Sequence, residues 1–277
     1  MTAAAYAAAV CLLGEIEMIY EQLHGLLQDQ KGGVVFTCLG LWHWLYMLVI
    51  FGATFAIWWF ARNQDEKTKH RVANGAISCA FALYMLDFFL MPFAYGEIDI
   101  DKLPFHMCTA MCILSFFARR SEFLGKFRTT FALLGLISNL IYVVYPAGIA
   151  WHQVHPLSYR AVQTLLFHGA MLAYGIFVLA LETKELPWEH CQKELAVIAG
   201  ITVWALLGNL LYSGNVGNYV HAFNWFFVQQ DPFGMLPAHF AQWVMPFVMM
   251  LTFFVADLLI YCVYHGLKKV AAQKVRP

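Results

Sequence analysis

Seven apolar stretches recur along this chain, at 38–61, 72–95, 103–118, 129–145, 161–181, 195–212 and 240–264, and the connections between them carry lysine and arginine on alternate sides. Taking each stretch as a membrane crossing gathers Arg62, Lys67, Lys69, Arg71, Arg119, Arg120, Lys126, Arg128, Lys184, Lys193, Lys268, Lys269, Lys274 and Arg276 on one face, fourteen of the seventeen basic residues. Only Lys31, Lys102 and Arg160 fall on the other. A miscounted crossing would scramble that division. Cytoplasmic loops retain lysine and arginine, so the pattern predicts an all-α, polytopic membrane bundle of seven transmembrane helices. Its amino terminus lies outside, its carboxyl terminus is cytoplasmic, and the odd-numbered helices run inward.

Composition agrees: 61% of the 277 residues are hydrophobic and 12% charged, a balance soluble domains seldom approach. The formal net charge is zero, so no basic field or base-stacking patch points to nucleic acid. The seven cysteines are an odd count with no pairing framework, and those in apolar segments read as small buried hydrophobes. Residues 1–31 begin apolar but meet Glu15, Glu17 and Glu21 too soon to cross about 30 Å of hydrocarbon. No basic residue precedes that run, so it fits an interfacial amphipathic helix better than a cleaved signal. No linker divides the chain, and 1–277 reads as a single integral membrane domain, with the seven-helix bundle over 38–264.

The rise of about 1.5 Å per residue converts position into depth. His43, His106 with Cys108, and His168 fall in the first turns of inward-running helices; Asp87, Asn139 and Asn209 fall in the last turns of outward-running ones. These groups therefore share the outer half of the membrane, with Asp257 near the inner end of the last helix as the main exception. Single polar residues commonly tie transmembrane helices together, whereas many at one depth suggest a shared polar cavity. The histidines are 63 and 62 residues apart, a weak hint of repeated hairpins. The outer loop 213–238 carries Asn215, Asn218, Tyr219 and several aromatic residues but no Lys or Arg, as expected of an interfacial belt or a lid over the cavity.

Nucleophilic chemistry centres on LPFHMCTAMC, 103–112. Pro104 suits a first helical turn, which would set Cys108 near the positive end of that helix. His106 and Cys108, two residues apart, diverge by about 200° on a regular helix and cannot pair there. Either the segment is unwound or the base for Cys108 comes from another helix. Thr109 shares the face of His106 more nearly and is the reserve nucleophile.

LPFHMC, a Tyr145-Pro146 helix end, FHG at 167–169, Gly217-Asn218-Tyr219 and Asp231-Pro232-Phe233 occur in an order that resembles the YwaF-like bacterial integral membrane proteins and their eukaryotic relatives, the transmembrane protein 164 family. The resemblance implies a seven-helix protein whose eukaryotic members are acyltransferases moving fatty acyl chains between phospholipids through a cysteine. It implies His168 as the catalytic histidine. The eukaryotic cysteine directly precedes the third-helix histidine, a place held here by Phe105; the bacterial-type pattern has its cysteine at the position of Cys108, followed by an acidic residue where this chain has Thr109.

The leading expectation is thus acyl transfer or ester hydrolysis on a membrane phospholipid or lysophospholipid. Cys108 is the nucleophile, His168 the base and Asp87 a residue to orient a histidine, while Asn139, Asn209 or His106 donate to the oxyanion. His43, Asp87, Thr109, Asn139, Asn209, Asn218 and Tyr219 are the expected substrate-binding groups. A non-catalytic transporter or lipid-binding protein is the second reading. A metal or haem site on His43, His106 and His168 is the third, and these histidines lack the i, i+4 spacing of a local chelate. No metal or cofactor is expected.

Overall fold

The computed structural model describes residues 14–15, 17–22, 24, 27, 33–95, 100–151, 153–212, 214–216, 219–221, 224–229, 231 and 234–274. The interfacial helix expected over 1–31 lies largely outside them; positions 17–22 are helical, with Met18 and Ile19 exposed. Among the described residues seven helices of twelve or more residues follow: α1 (Leu41–Ala61), α2 (Glu66–Tyr95), α3 (Met107–Ala118), α4 (Arg128–Val144), α5 (Tyr159–Phe177), α6 (Cys191–Tyr212) and α7 (Ala238–Lys274). A π turn, Val178–Glu182, prolongs α5. Between α6 and α7 lie a hairpin of two three-residue strands, Gly214–Val216 against Tyr219–His221, and a 3-10 turn at Trp225–Phe227.

Six of the seven helices are long and apolar enough to cross a membrane; α3 is not. In hydrocarbon a chain must satisfy its own backbone donors and acceptors, so apolar runs of this length form helices whose outward faces remain apolar. On α7, Trp243, Phe247, Leu251, Val255, Leu259 and Val263 recur every fourth residue and are all exposed, a lipid-facing stripe. Helix α5 is the opposite case. Its span is 72% buried, against 17% for that of α7, which makes α5 the central post. Helices α1, α2 and α4 pack around it, α3 lies against α2 and α4, and α6 and α7 form an outer pair touching α4. Gly175 permits a close approach of α5 to α4, because a Cβ there would stand 2.8 Å from the Ala132 carbonyl. Small residues let membrane helices approach in this way.

Polar contacts sort the loops into two ends. At one, Glu182 joins Arg128 and His70, Arg119 donates to Ser78, Lys268 meets Glu185 and Tyr264 donates to the Lys184 carbonyl. This end holds the basic connections. Asp65 caps α2 there by accepting from the Thr68 N–H at 2.9 Å, and the Thr68 hydroxyl together with that N–H holds its carboxyl below the usual carboxylate range. At the other end, Phe36 donates to Val154, Tyr46 to the Pro156 carbonyl, and Lys102 pairs with Asp87.

The main departure from expectation is α3. It begins at Met107 rather than near Leu103, has twelve residues, and spans about 18 Å. Pro104 is not in its first turn. The Phe105 N–H turns back onto the Leu103 carbonyl at 2.8 Å, a three-residue turn centred on Pro104, and the Pro104 carbonyl accepts from the Trp204 indole at 2.8 Å. His106 is extended, with φ −84° and ψ 150°, and serves as the N-cap. The segment leading to it dips into the bundle: Lys102 reaches Asp87, eight residues inside the end of α2, and Tyr84 donates to the Lys102 carbonyl at 2.9 Å. Irregular backbone at such depth occurs where protein or a polar cavity surrounds it.

Candidate active site at the start of the short third helix

Because α3 starts inside the bundle, its unpaired N–H groups are presented there. The first intrahelical bond runs from the Ala110 N–H to the His106 carbonyl, so the amides of residues 107–109 precede the ladder. Cys108 is the second residue of α3 and is half-buried.

His168 comes from the middle of α5 and is almost fully buried. Its Nδ1 lies 2.6 Å from Asn139 Oδ1. Asn139 Nδ2 donates to the Gly135 carbonyl at 2.6 Å, which fixes the amide with its oxygen toward the ring. Nδ1 must then carry the proton, leaving the Nε2 lone pair as the available base. Tyr142, one turn beyond Asn139 on the same face of α4, stacks on the imidazole with centroids 3.7 Å apart, and Phe167 meets its edge at 4.9 Å. Two contacts from α4 thus set the tautomer and the plane of one histidine of α5. Cys108 packs against the main core cluster, which includes Tyr84, Phe167 and Met171.

Phe105 points elsewhere. Its ring is packed against Trp204 and Trp225 at 4.9 and 4.7 Å and sits over Gly208 of α6. Position 105 therefore faces α6. A Cβ on residue 208 would stand 2.4 to 2.7 Å from the Phe105 ring. Gly208→Ala is expected to destabilise the protein by about 1–3 kcal/mol through overpacking, and Phe105→Leu added to it should recover part of the loss; unfolding in mixed micelles reads both.

Other expected site residues are committed differently. His43 accepts from the Leu39 N–H at Nδ1 (2.9 Å) and donates from Nε2 to the Val143 carbonyl (2.8 Å), so both ring nitrogens fasten α1 to its neighbours and neither is left for a ligand. Among the described residues Asp87 orients no histidine; it accepts from Tyr159 at 2.7 Å and pairs with Lys102 at 3.1 Å. Asn139 uses its amide to hold His168 rather than to meet an oxyanion. Asn209 exchanges two bonds with the backbone of Trp225, at 3.2 and 3.0 Å. His106 accepts from the Phe226 N–H at 3.2 Å. Thr109 donates to the His106 carbonyl at 3.1 Å. Asn218 is outside the described residues, and Tyr219 is described only as a strand position opposite Val216.

Asn209 and His106 together pin the turn 225–227, where Phe226 and Phe227 adopt positive φ, 56° and 52°. Non-glycine residues hold that conformation only when their surroundings dictate it. Trp225 and Phe226 are buried, so this part of the connection between α6 and α7 is packed into the bundle beside the start of α3. Sequence reasoning missed Tyr142, although its spacing of three from Asn139 was a usable signal. It also passed over Lys102, which stood out as one of the few basic residues on the sparsely charged side.

No curated protein and no solved structure is similar enough to this chain to match it. The family model described as the TMEM164 family matches residues 38–264, from the approach to α1 to the last turns of α7. With six helices of membrane-spanning length and a family match over most of its length, this chain is an integral multi-pass membrane protein that belongs to the TMEM164 family.

Proposed function

We propose that the protein transfers fatty acyl chains from a membrane phospholipid through a thioester on Cys108. The observation that carries this is the Asn139–His168 pair, which leaves a buried imidazole with its Nε2 lone pair available as a base. A buried thiol attacks an ester only if its proton departs as the bond forms. In the first half-reaction Cys108 Sγ bonds to the ester carbonyl carbon while His168 Nε2 takes the thiol proton. The oxyanion forms against the backbone N–H groups at the start of α3. Collapse breaks the ester C–O bond, and His168 returns the proton to the departing glyceryl oxygen, releasing a lysophospholipid. In the second half-reaction the hydroxyl of a lysophospholipid, or water, loses its proton to His168 and displaces the thiol.

The same reading takes α3 with its extended approach as a seventh traverse and places the basic end in the cytoplasm, in line with the retention of lysine and arginine there. The site then faces the opposite leaflet, where a lipid can enter sideways between helices.

Vesicles containing the protein, a phospholipid with a labelled acyl chain and an unlabelled lysophospholipid test the proposal. Label is expected to appear in the acceptor and to fall at least about 10³-fold with Cys108→Ala, the scale on which loss of a nucleophile acts. Undiminished transfer by Cys108→Ala would remove Cys108 from the mechanism.

A further inference from the structure

A second polar cluster lies far from His168, at the basic end of the bundle. Cys191 and Glu194 occupy the first turn of α6, three residues apart and therefore on one face. Asp257 projects toward them from α7. All three are buried, and a sulfur from Cys191 and one carboxylate oxygen from each acid lie within 4.8 Å of one another. Glu194 is held in place by two neighbours: Thr130 of α4 donates to Oε1 at 2.8 Å and Tyr261 of α7 to Oε2 at 3.1 Å. Asp257 has no such support. It is fully buried, and both carboxylate oxygens lack a hydrogen-bond partner. Among the described residues no lysine, arginine or histidine forms an ion pair with either acid.

Such an arrangement is expensive as it stands, since a buried carboxylate is normally paired, coordinated or protonated. Two carboxyls and a thiol converging on one point, with no ion-pairing cation among the described residues, describe a donor set in want of a positive charge. We propose that Cys191, Glu194 and Asp257 bind a divalent zinc ion. The thiolate selects a borderline-soft cation over calcium or magnesium, whose sites are built from oxygen. Bond lengths of about 2.3 Å to sulfur and about 2.0 Å to oxygen separate tetrahedral ligands by about 3.3–3.5 Å. Thr130 and Tyr261 then act as outer partners that orient the Glu194 carboxylate, and a water or another small ligand completes the tetrahedron.

The zinc would join α6 to α7 at one end. This outer pair is held at its other end by the Asn209–Trp225 bonds and the packing of Phe226 on Phe253. The site is independent of the acyl-transfer proposal, because neither Cys108 nor His168 takes part.

The full-length protein in lipid nanodiscs, stripped with a chelator and exchanged into metal-free buffer, is titrated first with cobalt chloride and then with zinc chloride. One equivalent of cobalt is expected to bind, with tetrahedral visible absorption and a near-ultraviolet thiolate-to-cobalt charge-transfer band, both abolished by one equivalent of zinc. Zinc should also raise the thermal midpoint of the parent. Cys191→Ser is expected to lose the charge-transfer band. Asp257→Asn, which keeps the side-chain shape and removes an unpaired buried acid, should fold and bind at least tenfold more weakly, without the zinc-dependent rise in midpoint. Absence of the band in the parent, its persistence in Cys191→Ser, or parental affinity in Asp257→Asn each overturns the proposal. A midpoint in the parent that is indifferent to zinc points instead to carboxyls that merely share a proton, and overturns it equally.

Discussion

His168→Ala is expected to lower the turnover of acyl transfer by about 10²–10⁴-fold, or about 3–5 kcal/mol of barrier, while the bundle stays folded. The size follows from what the imidazole does in both half-reactions: it removes a proton from the attacking group and returns one to the leaving group. The side chain also packs between Tyr142 and Phe167, so its removal leaves a cavity and some stability is lost. Intact helical circular dichroism and unchanged retention on gel filtration separate that cost from the chemical one. Asn139 acts only through His168. Asn139→Ala should therefore reduce kcat by about 10–100-fold with little change in KM, because the ring is free to take the wrong tautomer. Asn139→Asp still offers an oxygen to Nδ1–H and should retain more activity than Asn139→Ala. A purely structural asparagine would lose stability in both variants and show no such order in kcat.

Lys102→Met is expected to cost about 3 kcal/mol of stability, because it leaves the carboxylate of Asp87, whose side chain is only 3% exposed, without its cation. Tyr159 remains as a donor at 2.7 Å but cannot neutralise the charge. Asp87→Asn added to Lys102→Met should recover most of the loss, since an amide in that place needs no counter-charge and can still accept from Tyr159. Reversible unfolding in mixed micelles across the four members of this double-mutant cycle gives the coupling directly. The pair matters to the site as well. Lys102, through its carbonyl and its ammonium, is what holds the 100–106 approach at depth against Tyr84 and Asp87, and α3 begins where that approach ends. Transfer activity is expected to fall together with stability in Lys102→Met and to return in the double variant.

Much of this arrangement could be read from the chain before any coordinates. Hydropathy and the one-sided lysines and arginines give long apolar helices with the basic connections gathered at one end, because both signals are averages over many residues and survive small errors in any boundary. The third segment resists the same treatment. Its composition is apolar from Leu103 onward, but Pro104 and the neighbouring turn stop the helix from starting before Met107, and hydropathy does not register that. The convergence of His106, Cys108, His168, Asn139, Asp87 and Asn209 toward one half of the bundle is legible from depth alone. What each does there is not, since depth carries no azimuth. Around the axis, His43 turns both nitrogens to backbone, Asp87 turns to Lys102, and Asn209 turns to the Trp225 loop, so groups expected to bind a substrate instead hold irregular backbone in place. Asn139 turns to His168 and takes the orienting role expected of Asp87. The Cys191–Glu194–Asp257 cluster escaped for the opposite reason: Asp257 stood out by depth, but its neighbours come from the edge of another helix and are ordinary in sequence.

The central claim is that the acyl chain passes through the sulfur of Cys108. Vesicles containing the protein and a single defined phospholipid, quenched in acid within the first turnover and digested for mass spectrometry, test it most directly. The peptide carrying Cys108 is expected to gain the mass of one acyl chain, in an adduct released by neutral hydroxylamine as a thioester is, and to lose it when lysophospholipid is supplied before the quench. Transfer of label to the acceptor with no adduct on Cys108 at any time, or with the adduct on Thr109 or another residue, would contradict the account.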